Sequence, residues 1–185
     1  MQVRSVRWSD FDDLVETYYA LYDERDRGEE IGIGLLAERP SPADEVGWMA
    51  RSYRRMLDGD LIWSAAEVDG RAVGSCTIDR LGATASSETA HVGTLGILVR
   101  RGHRGHGIGS ALLAHALDAA RAKFGIVRLD VFSTNTRAKQ LYERFGFVLS
   151  GHVPRLIKRG NRYFDADQMV LELDRPGDVS ARRDL

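Results

Sequence analysis

A glycine- and arginine-rich segment in the middle of the chain has the composition of a phosphate-binding loop. The sequence RRGHRGHGIGS (100–110) directly follows the apolar run HVGTLGILV (91–99), and Arg104-Gly105-His106-Gly107-Ile108-Gly109 forms an R-x-x-G-x-G pattern. A turn from a strand into a helix points backbone N–H groups outward, and the helix dipole adds roughly half a positive charge there. The segment predicts a pyrophosphate site, in which Gly107 and Gly109 permit close approach and Ser110 adds a hydroxyl.

Two better-known phosphate loops do not fit these residues. A P-loop requires Gly-Lys-Ser/Thr after the glycines, and a dinucleotide-binding turn requires G-x-G-x-x-G. Here Gly109 is followed by Ser110, Ala111 and Leu112. A tight turn with solvated arginines is the structural alternative. If the segment does bind an anion, Arg100, Arg101 and Arg104 supply local positive charge that the nearly neutral chain lacks.

A second group of candidate residues lies in NTRAKQLYERFGF (135–147). Asn135, Ala138 and Tyr142 are spaced at i, i+3 and i+7, which places them on one face of a helix. A tyrosine hydroxyl donates a proton, and an asparagine amide both donates and accepts hydrogen bonds. The structural alternatives are a core aromatic for Tyr142 and a helix N-cap for Asn135.

The elements that would position these residues alternate between strand and helix periodicity. Their order predicts an α/β protein with a mixed sheet of about seven strands and helices on both faces. Hairpin turns are predicted at Asp69-Gly70 and Gly160-Asn161, and a long loop at 24–40. The predicted strands are 2–8, 61–68, 71–78, 91–99, 126–132, 147–153 and 162–173; helices are predicted after Ser9, Ser41 and Gly107 and over 135–145.

Length and composition restrict the classes of function. The 185 residues suit a single domain over 1–174, followed by a flexible tail at 175–185. A net charge of −1 argues against a nucleic-acid binder, and no apolar run is long enough for a membrane span. The single cysteine excludes an internal disulfide. No histidines are grouped with carboxylates in a pattern typical of a metal site, so no metal is expected. The start of the chain lacks a secretory signal, so a cytoplasmic protein is expected.

Together, the glycine loop and the second motif resemble those of the GCN5-related N-acetyltransferase (GNAT) superfamily. The resemblance covers about residues 61–173, and GNRYFDADQM (160–169) resembles a late strand of the branch that acetylates amino acids, small amines or protein N-termini. It implies the GNAT fold with a splayed cofactor cleft, acetyl-CoA as co-substrate and a primary amine as acceptor. A non-catalytic acyl-CoA-binding regulatory module is the alternative, and a homodimer is compatible with such a fold.

The resemblance also implies roles for individual residues. The pantetheine arm would pair with the strand edge at Gly96–Val99, and a backbone N–H of Ile97 or Leu98 would face the thioester oxygen. Gly93 or Gly96 would mark a bulge in that strand, unless these glycines serve close helix packing. The pyrophosphate would contact the loop from Arg104 to Ser110, Asn135 would hydrogen-bond the pantetheine, and Tyr142 would protonate the leaving sulfur.

The general base is the residue for which the pattern departs from the family. Many members of the family that the chain resembles carry a glutamate at the position of Thr94. The hydroxyl of Thr94 is able to hold a water molecule but not to accept a proton at neutral pH. The residues that could substitute for the glutamate are Glu67, Glu88, His91, Asp130 and Asp165. Of these, His91 has a suitable unperturbed pKa and is the candidate base.

Overall fold

The computed structural model describes residues 1–29, 31–82 and 86–173. Its helices are α1 (Phe11–Asp26), α2 (Pro42–Asp58), α3 (Ile108–Ala120) and α4 (Thr136–Arg144), with 3-10 turns at Trp8–Asp10 and Arg101–His103. Its strands are β1 (Gln2–Ser5), β2 (Leu61–Val68), β3 (Arg71–Arg80), β4 (Val92–Val99), β5 (Ile126–Phe132), β6 (Val148–Arg159) and β7 (Arg162–Glu172).

The seven strands form one mixed sheet in the order β1-β2-β3-β4-β5-β7-β6. Only the β4–β5 pair is parallel, and the other neighbours are antiparallel. The predicted mixed sheet is thereby confirmed, as are the turns that join β2 to β3 and β6 to β7. The largest departures from the predicted bounds are at β1, which ends at Ser5, at α1, which continues to Asp26 inside the predicted loop, and at β6, which runs six residues further, to Arg159. The predicted tail at 175–185 lies outside the described residues.

The two faces of the sheet carry separate apolar clusters, which fix the faces on which the helices pack. On one face, α3 and α4 cover a core that includes Leu112, Leu113 and Tyr142. On the other face, α1 and α2 cover a smaller cluster that includes Met49 and Trp63. We call these the α3–α4 face and the α1–α2 face.

The sheet splays apart between β4 and β5. The two strands pair over only three residues, Val92–Thr94 with Ile126–Arg128, so the remaining lengths of both strands diverge. The splayed cleft implied by the resemblance is therefore present, at the end of β4 that leads into the glycine loop.

The bulge expected at Gly93 or Gly96 is absent from the β3–β4 pairing, whose register runs without a shift from Gly74↔Val99 to Arg80↔Gly93. Gly93 instead serves close packing. A Cβ at this position would lie 2.4 Å from Ile78 Cγ2 and 3.2 Å from the Phe124 ring. The expectation of a bulge at these glycines is wrong, and the packing alternative explains Gly93.

Candidate active site

The open edge of β4 exposes backbone hydrogen-bonding groups to the cleft. The carbonyl of Val92 accepts from the N–H of Leu81, and the N–H of Arg100 donates to the carbonyl of Val73, so these even-numbered residues face β3. Successive residues of a strand direct their backbone groups to opposite edges, and the register is unbroken. The N–H groups of Leu95, Ile97 and Val99 therefore face the splay, whereas that of Leu98 faces β3. Ile97 and Leu98 were the two residues whose N–H was expected to face the thioester oxygen, and the direction of the N–H groups favours Ile97.

The glycine loop presents a helix N-terminus to the same cleft. Gly107 is the N-cap of α3 in the left-handed conformation, with φ +80°, and a Cβ at this position would meet nothing within 4 Å. The first intrahelical bond runs from the N–H of Ala111 to the carbonyl of Gly107, which leaves the N–H groups of Ile108, Gly109 and Ser110 without helical acceptors. This set of free donors, open glycine backbone and helix dipole fits a pyrophosphate. The neighbouring Gly105 is also left-handed, and His106 is exposed.

The three arginines of the loop are already paired with carboxylates from α1 and the residues that follow it. Arg104 donates to both oxygens of Glu24, at 2.8 and 3.0 Å, and through Nε to the carbonyl of Val99 at 2.8 Å. Arg100 pairs with Glu16, and Arg101 pairs with Glu29. Acidic side chains from elsewhere in the sequence therefore offset part of the local positive charge that these arginines were expected to supply.

Tyr142 lies in the α3–α4 core near Cys76 of β3. The residue is only 6% exposed, and its ring packs against Phe147 with centroids 5.7 Å apart. Burial raises the pKa of the Tyr142 hydroxyl, and the nearby thiol of Cys76 raises it further. Cys76 is the register partner of Ile97. The hydroxyl therefore stays protonated at neutral pH, close to the strand segment whose N–H faces the cleft.

Asn135 is the N-cap of α4, which is the structural role that the sequence offered as an alternative to cofactor binding. Its side-chain oxygen accepts from the N–H of Ala138 at 3.1 Å, while its amide nitrogen donates to the carbonyl of Gly32 at 3.3 Å. A Cβ on Gly32 would lie 2.1 Å from that amide nitrogen, so glycine is required for the contact. The same loop is held by Arg159, which donates to the carbonyls of Ile31 and Ile33.

The structure does not bring His91 to this cleft. His91 is exposed and precedes β4, six residues before Ile97, which corresponds to roughly 20 Å of extended strand. Thr94 is closer, at the point where β4 and β5 separate. The residue opposite Thr94 on β3 is Asp79, so their side chains share the α1–α2 face.

Asp79 is a carboxylate that the sequence alone did not single out. Arg55 of α2 pairs with it at 2.6 Å, yet burial of the carboxyl outweighs this pairing and raises the pKa of Asp79. In sequence it is only the ninth residue of a hairpin strand. Its position beside Thr94 follows from a pairing between residues 15 apart, which periodicity does not reveal.

A second charged cluster was also missed, at the β6–β7 side of α4. Asp167 accepts from Ser133 Oγ at 2.8 Å, Lys139 Nζ at 2.9 Å and His152 Nδ1 at 2.8 Å. These hydrogen bonds hold the pKa of Asp167 well below its usual range, and Asp167 in turn raises the pKa of His152. Four elements or loops contribute these residues, so no local pattern indicates the cluster.

Two structural features are absent from residues 1–29, 31–82 and 86–173. Within these ranges no group of three or more His, Cys, Asp or Glu side chains is arranged to hold a metal ion. None of the helices described has both the length and the apolar character needed to span a bilayer.

Comparison with known proteins agrees with this geometry. The sequence model described as "Acetyltransferase (GNAT) family" matches residues 15–147, which include β4, the glycine loop and α4. The chain belongs to the GNAT family. The resemblance drawn from the two motifs is thereby confirmed, and an acetyltransferase is the enzyme class of that family.

Individual relatives place this GNAT protein among N-acetyltransferases. It is 29% identical over 133 residues to the L-amino acid N-acetyltransferase AaaT of Escherichia coli, covering 71% of this chain and 78% of AaaT. It is 50% identical over 58 residues to N-alpha-acetyltransferase 40 of Saccharomyces cerevisiae, where the match covers 26% of this chain and only 20% of the yeast protein. Among solved structures, yncA from Salmonella typhimurium, solved with its cofactor acetyl-CoA, has the same fold. The TM-score is 0.80 at 20% identity, over 98% of both chains.

Proposed function

We propose that this GNAT protein transfers the acetyl group of acetyl-CoA to a primary amine. The observation that carries the proposal is the splay of β4 from β5, which leaves the N–H of Ile97 facing a cleft. A Cβ on Gly109 would lie 3.9 Å from Ile97 and 3.5 Å from Leu141, so the N-terminus of α3 and the α4 residue before Tyr142 meet beside this strand. The hydroxyl of Tyr142 is protonated at neutral pH. A phosphate-binding helix end, a strand edge and a proton donor are the features that this reaction requires of the protein.

The residues divide the work of holding acetyl-CoA, which supplies an acetyl group activated as a thioester. The N–H groups of Ile108, Gly109 and Ser110 receive the pyrophosphate, and Arg104 adds charge that Glu24 partly neutralises. The odd-numbered backbone groups of β4 pair with the pantetheine arm, and the N–H of Ile97 donates to the thioester carbonyl. Such a preorganised donor stabilises negative charge that develops on an oxygen.

Two proton movements are assigned to this chain's side chains. Tyr142 donates a proton to the leaving sulfur, because its hydroxyl is protonated and lies near Cys76, the register partner of Ile97. Asp79 is our candidate for the proton acceptor, because it lies beside Thr94, the position at which relatives carry a glutamate. An amine with pKa near 10.4 costs roughly 4–5 kcal/mol to neutralise at pH 7, so an acceptor is needed. The raised pKa of Asp79 suits that task.

The experiment is thiol release from acetyl-CoA with a panel of amines that includes amino acids, diamines and peptides. AaaT and N-alpha-acetyltransferase 40 motivate the first and last of these classes. Turnover with any amine supports the proposal. Asp79→Asn should then lower kcat/KM by on the order of 10²-fold and flatten the acidic limb of its pH profile. Asp58→Asn, an exposed carboxylate at the end of α2, is the control.

A non-catalytic acyl-CoA-binding module is the second candidate, and the threonine at position 94 favours it. The two are separated by one pair of measurements. Calorimetric binding of acetyl-CoA without thiol release by any amine supports the binding module and contradicts the enzyme.

A further inference from the structure

One carboxylate on the α1–α2 face has no partner in the part of the chain that is described. Glu45 lies in the first turn of α2 and is only 5% exposed, yet no described side chain or N–H group hydrogen-bonds to its carboxylate. Burial raises the pKa of Glu45, and the neighbouring Asp44 raises it further. The Glu45 oxygens are not among the fully buried polar atoms that lack a hydrogen bond, so they keep contact with solvent and a cation from outside the chain can reach them. Because little of the residue is exposed, a cation bound there would be largely shielded from water, which strengthens the attraction.

Two tryptophans lie on α2 and on β2, the strand that α2 covers. Trp48 lies three residues along α2 from Glu45, on the same side of the helix, and its ring packs edge-on against Trp63 with centroids 5.2 Å apart. Trp63 is 2% exposed, and its Nε1–H is buried without an acceptor among the described residues. Met49, one turn after Glu45, belongs to the same apolar cluster as Trp63. An unpartnered acceptor and an unpartnered donor thus lie beside one apolar wall.

This wall is connected to the open edge of β4 by strand register. Trp63 of β2 is opposite Thr77 of β3, which is opposite Gly96 of β4. Paired strands are about 4.8 Å apart, so Gly96 is roughly 10 Å from Trp63 across the sheet. Ile97, whose N–H faces the cleft, is the next residue after Gly96. An amine that approaches the open edge from the α1–α2 face therefore passes the aromatic pair.

The arginines near this face interact with groups other than Glu45. Arg55 is paired with Asp79, Arg128 with Asp130, and Arg39 with Asp23. Both terminal nitrogens of Arg159 donate to carbonyls of the α1–α2 loop, and Arg51 of α2 lowers the pKa of Asp44. No described arginine is paired with Glu45, so the group that complements its carboxylate is a cation from outside the described residues.

We propose that Glu45, with Trp48 and Trp63 as its apolar wall, binds a positively charged group of the acetyl acceptor. The substrate class is then an amine that carries a second cationic group, such as a diamine or polyamine, rather than an amino acid with a free carboxylate. The aromatic rings add favourable contact with a cation and its methylenes. This inference rests on the proposed acetyl transfer, because it names the acceptor of that reaction.

The experiment compares three ligands of equal chain length that differ only in the far end. These are 1,5-diaminopentane, 1-aminopentane and 5-aminopentanoate, each titrated by calorimetry into protein saturated with CoA. The wild-type protein should bind the diamine on the order of tenfold or more tightly than the monoamine, because a charge-assisted hydrogen bond distinguishes them. The amino acid should bind weakest.

Variants identify the carboxylate responsible. Glu45→Gln keeps the shape of the side chain and should abolish the preference for the diamine while leaving the affinity for CoA unchanged. Asp58→Asn removes an exposed carboxylate from the other end of α2 and should preserve the preference. In the thiol-release assay, Glu45→Gln should raise KM for the diamine and leave kcat within about twofold.

The outcomes separate this inference from the proposed function. Thiol release with monoamines and diamines at equal KM would overturn the role of Glu45 and leave acetyl transfer in place. Tighter binding of 5-aminopentanoate would also overturn it and would point to Arg159 as the counter-ion. Glu45-dependent binding of the diamine without any thiol release would support the site and contradict the enzyme.

Discussion

The pairing of Arg104 with Glu24 provides a quantitative test of whether this arginine stabilises the fold, holds the cofactor, or both. The side chain of Glu24 is 3% exposed and that of Arg104 is 34% exposed. Removing one partner of a fully buried ion pair costs about 3–5 kcal/mol. Because water reaches a third of the arginine, we expect Arg104→Met to lower the free energy of unfolding by about 2 kcal/mol.

A double-mutant cycle isolates this interaction. Glu24→Gln keeps a hydrogen-bond acceptor for the arginine, so its loss should be smaller, about 1 kcal/mol. If the bidentate geometry holds in solution, the double variant should be more stable than additivity allows by about 1 kcal/mol. Urea unfolding followed by circular dichroism measures all four proteins. A coupling below about 0.5 kcal/mol would refute the inference that α1 neutralises the glycine loop.

The same variants report on cofactor affinity. Glu24 shares the charge of Arg104, so Arg104→Met should weaken acetyl-CoA binding by about tenfold or less, measured by calorimetry. Glu24→Gln should strengthen binding, since the freed arginine faces the pyrophosphate without a competitor. A thousandfold loss in Arg104→Met, with the stability unchanged, would instead make the arginine a cofactor ligand that is independent of α1.

Three further outcomes are expected. Gly107→Val should abolish calorimetric binding of acetyl-CoA, because a β-branched side chain would occupy the open space at the α3 N-terminus and strain its left-handed backbone. Gly70→Val, which has the same open space and a φ of +78°, carries the same strain away from the loop and should bind normally. Tyr142→Phe should lower kcat on the order of 10²-fold and leave acetyl-CoA affinity unchanged; a normal kcat with chemistry rate-limiting would assign Tyr142 to the core. His152→Gln should lower the thermal midpoint most at acid pH. Asp167 raises the pKa of His152 in the folded state, so its stabilisation is full below about pH 6.5 and is lost as pH rises through the raised pKa. A difference that stays constant from pH 5 to pH 9 would contradict the charged pair.

Local sequence patterns predicted the parts of the site that depend on short-range geometry. The glycine spacing predicted a turn into a helix, and Gly107 is left-handed as such a turn requires. The i, i+7 spacing placed Asn135 and Tyr142 at the cap and on the buried face of α4. These features are decided within one or two turns of the chain, so local sequence determines them.

Long-range pairings account for what the sequence did not predict. Glu24 and Arg104 are 80 residues apart, and neither residue carries a signal for the other. The position of Asp79 beside Thr94 depends on the register of β3 against β4. The alternation of apolar and polar residues along a strand does not fix that register, because a shift by two residues keeps every side chain on the same face. Glu45 is one of several charged residues near the start of α2, and only packing distinguishes it as the buried one. The sequence thus indicated the cofactor side of the cleft better than the acceptor side.

The short parallel contact between β4 and β5 has a mechanical consequence. The ladder of β1 to β4 and the ladder of β5, β7 and β6 are joined in the sheet by three residue pairs, Val92–Thr94 with Ile126–Arg128. A seam with so few backbone hydrogen bonds is where the sheet opens most easily, so local opening should begin at the contact between β4 and β5. A molecule that pairs with the free edge of β4 and contacts α4 across the cleft would connect the two ladders. Amide exchange in β5 should slow when such a molecule is bound, although the protein's own hydrogen bonds are unchanged.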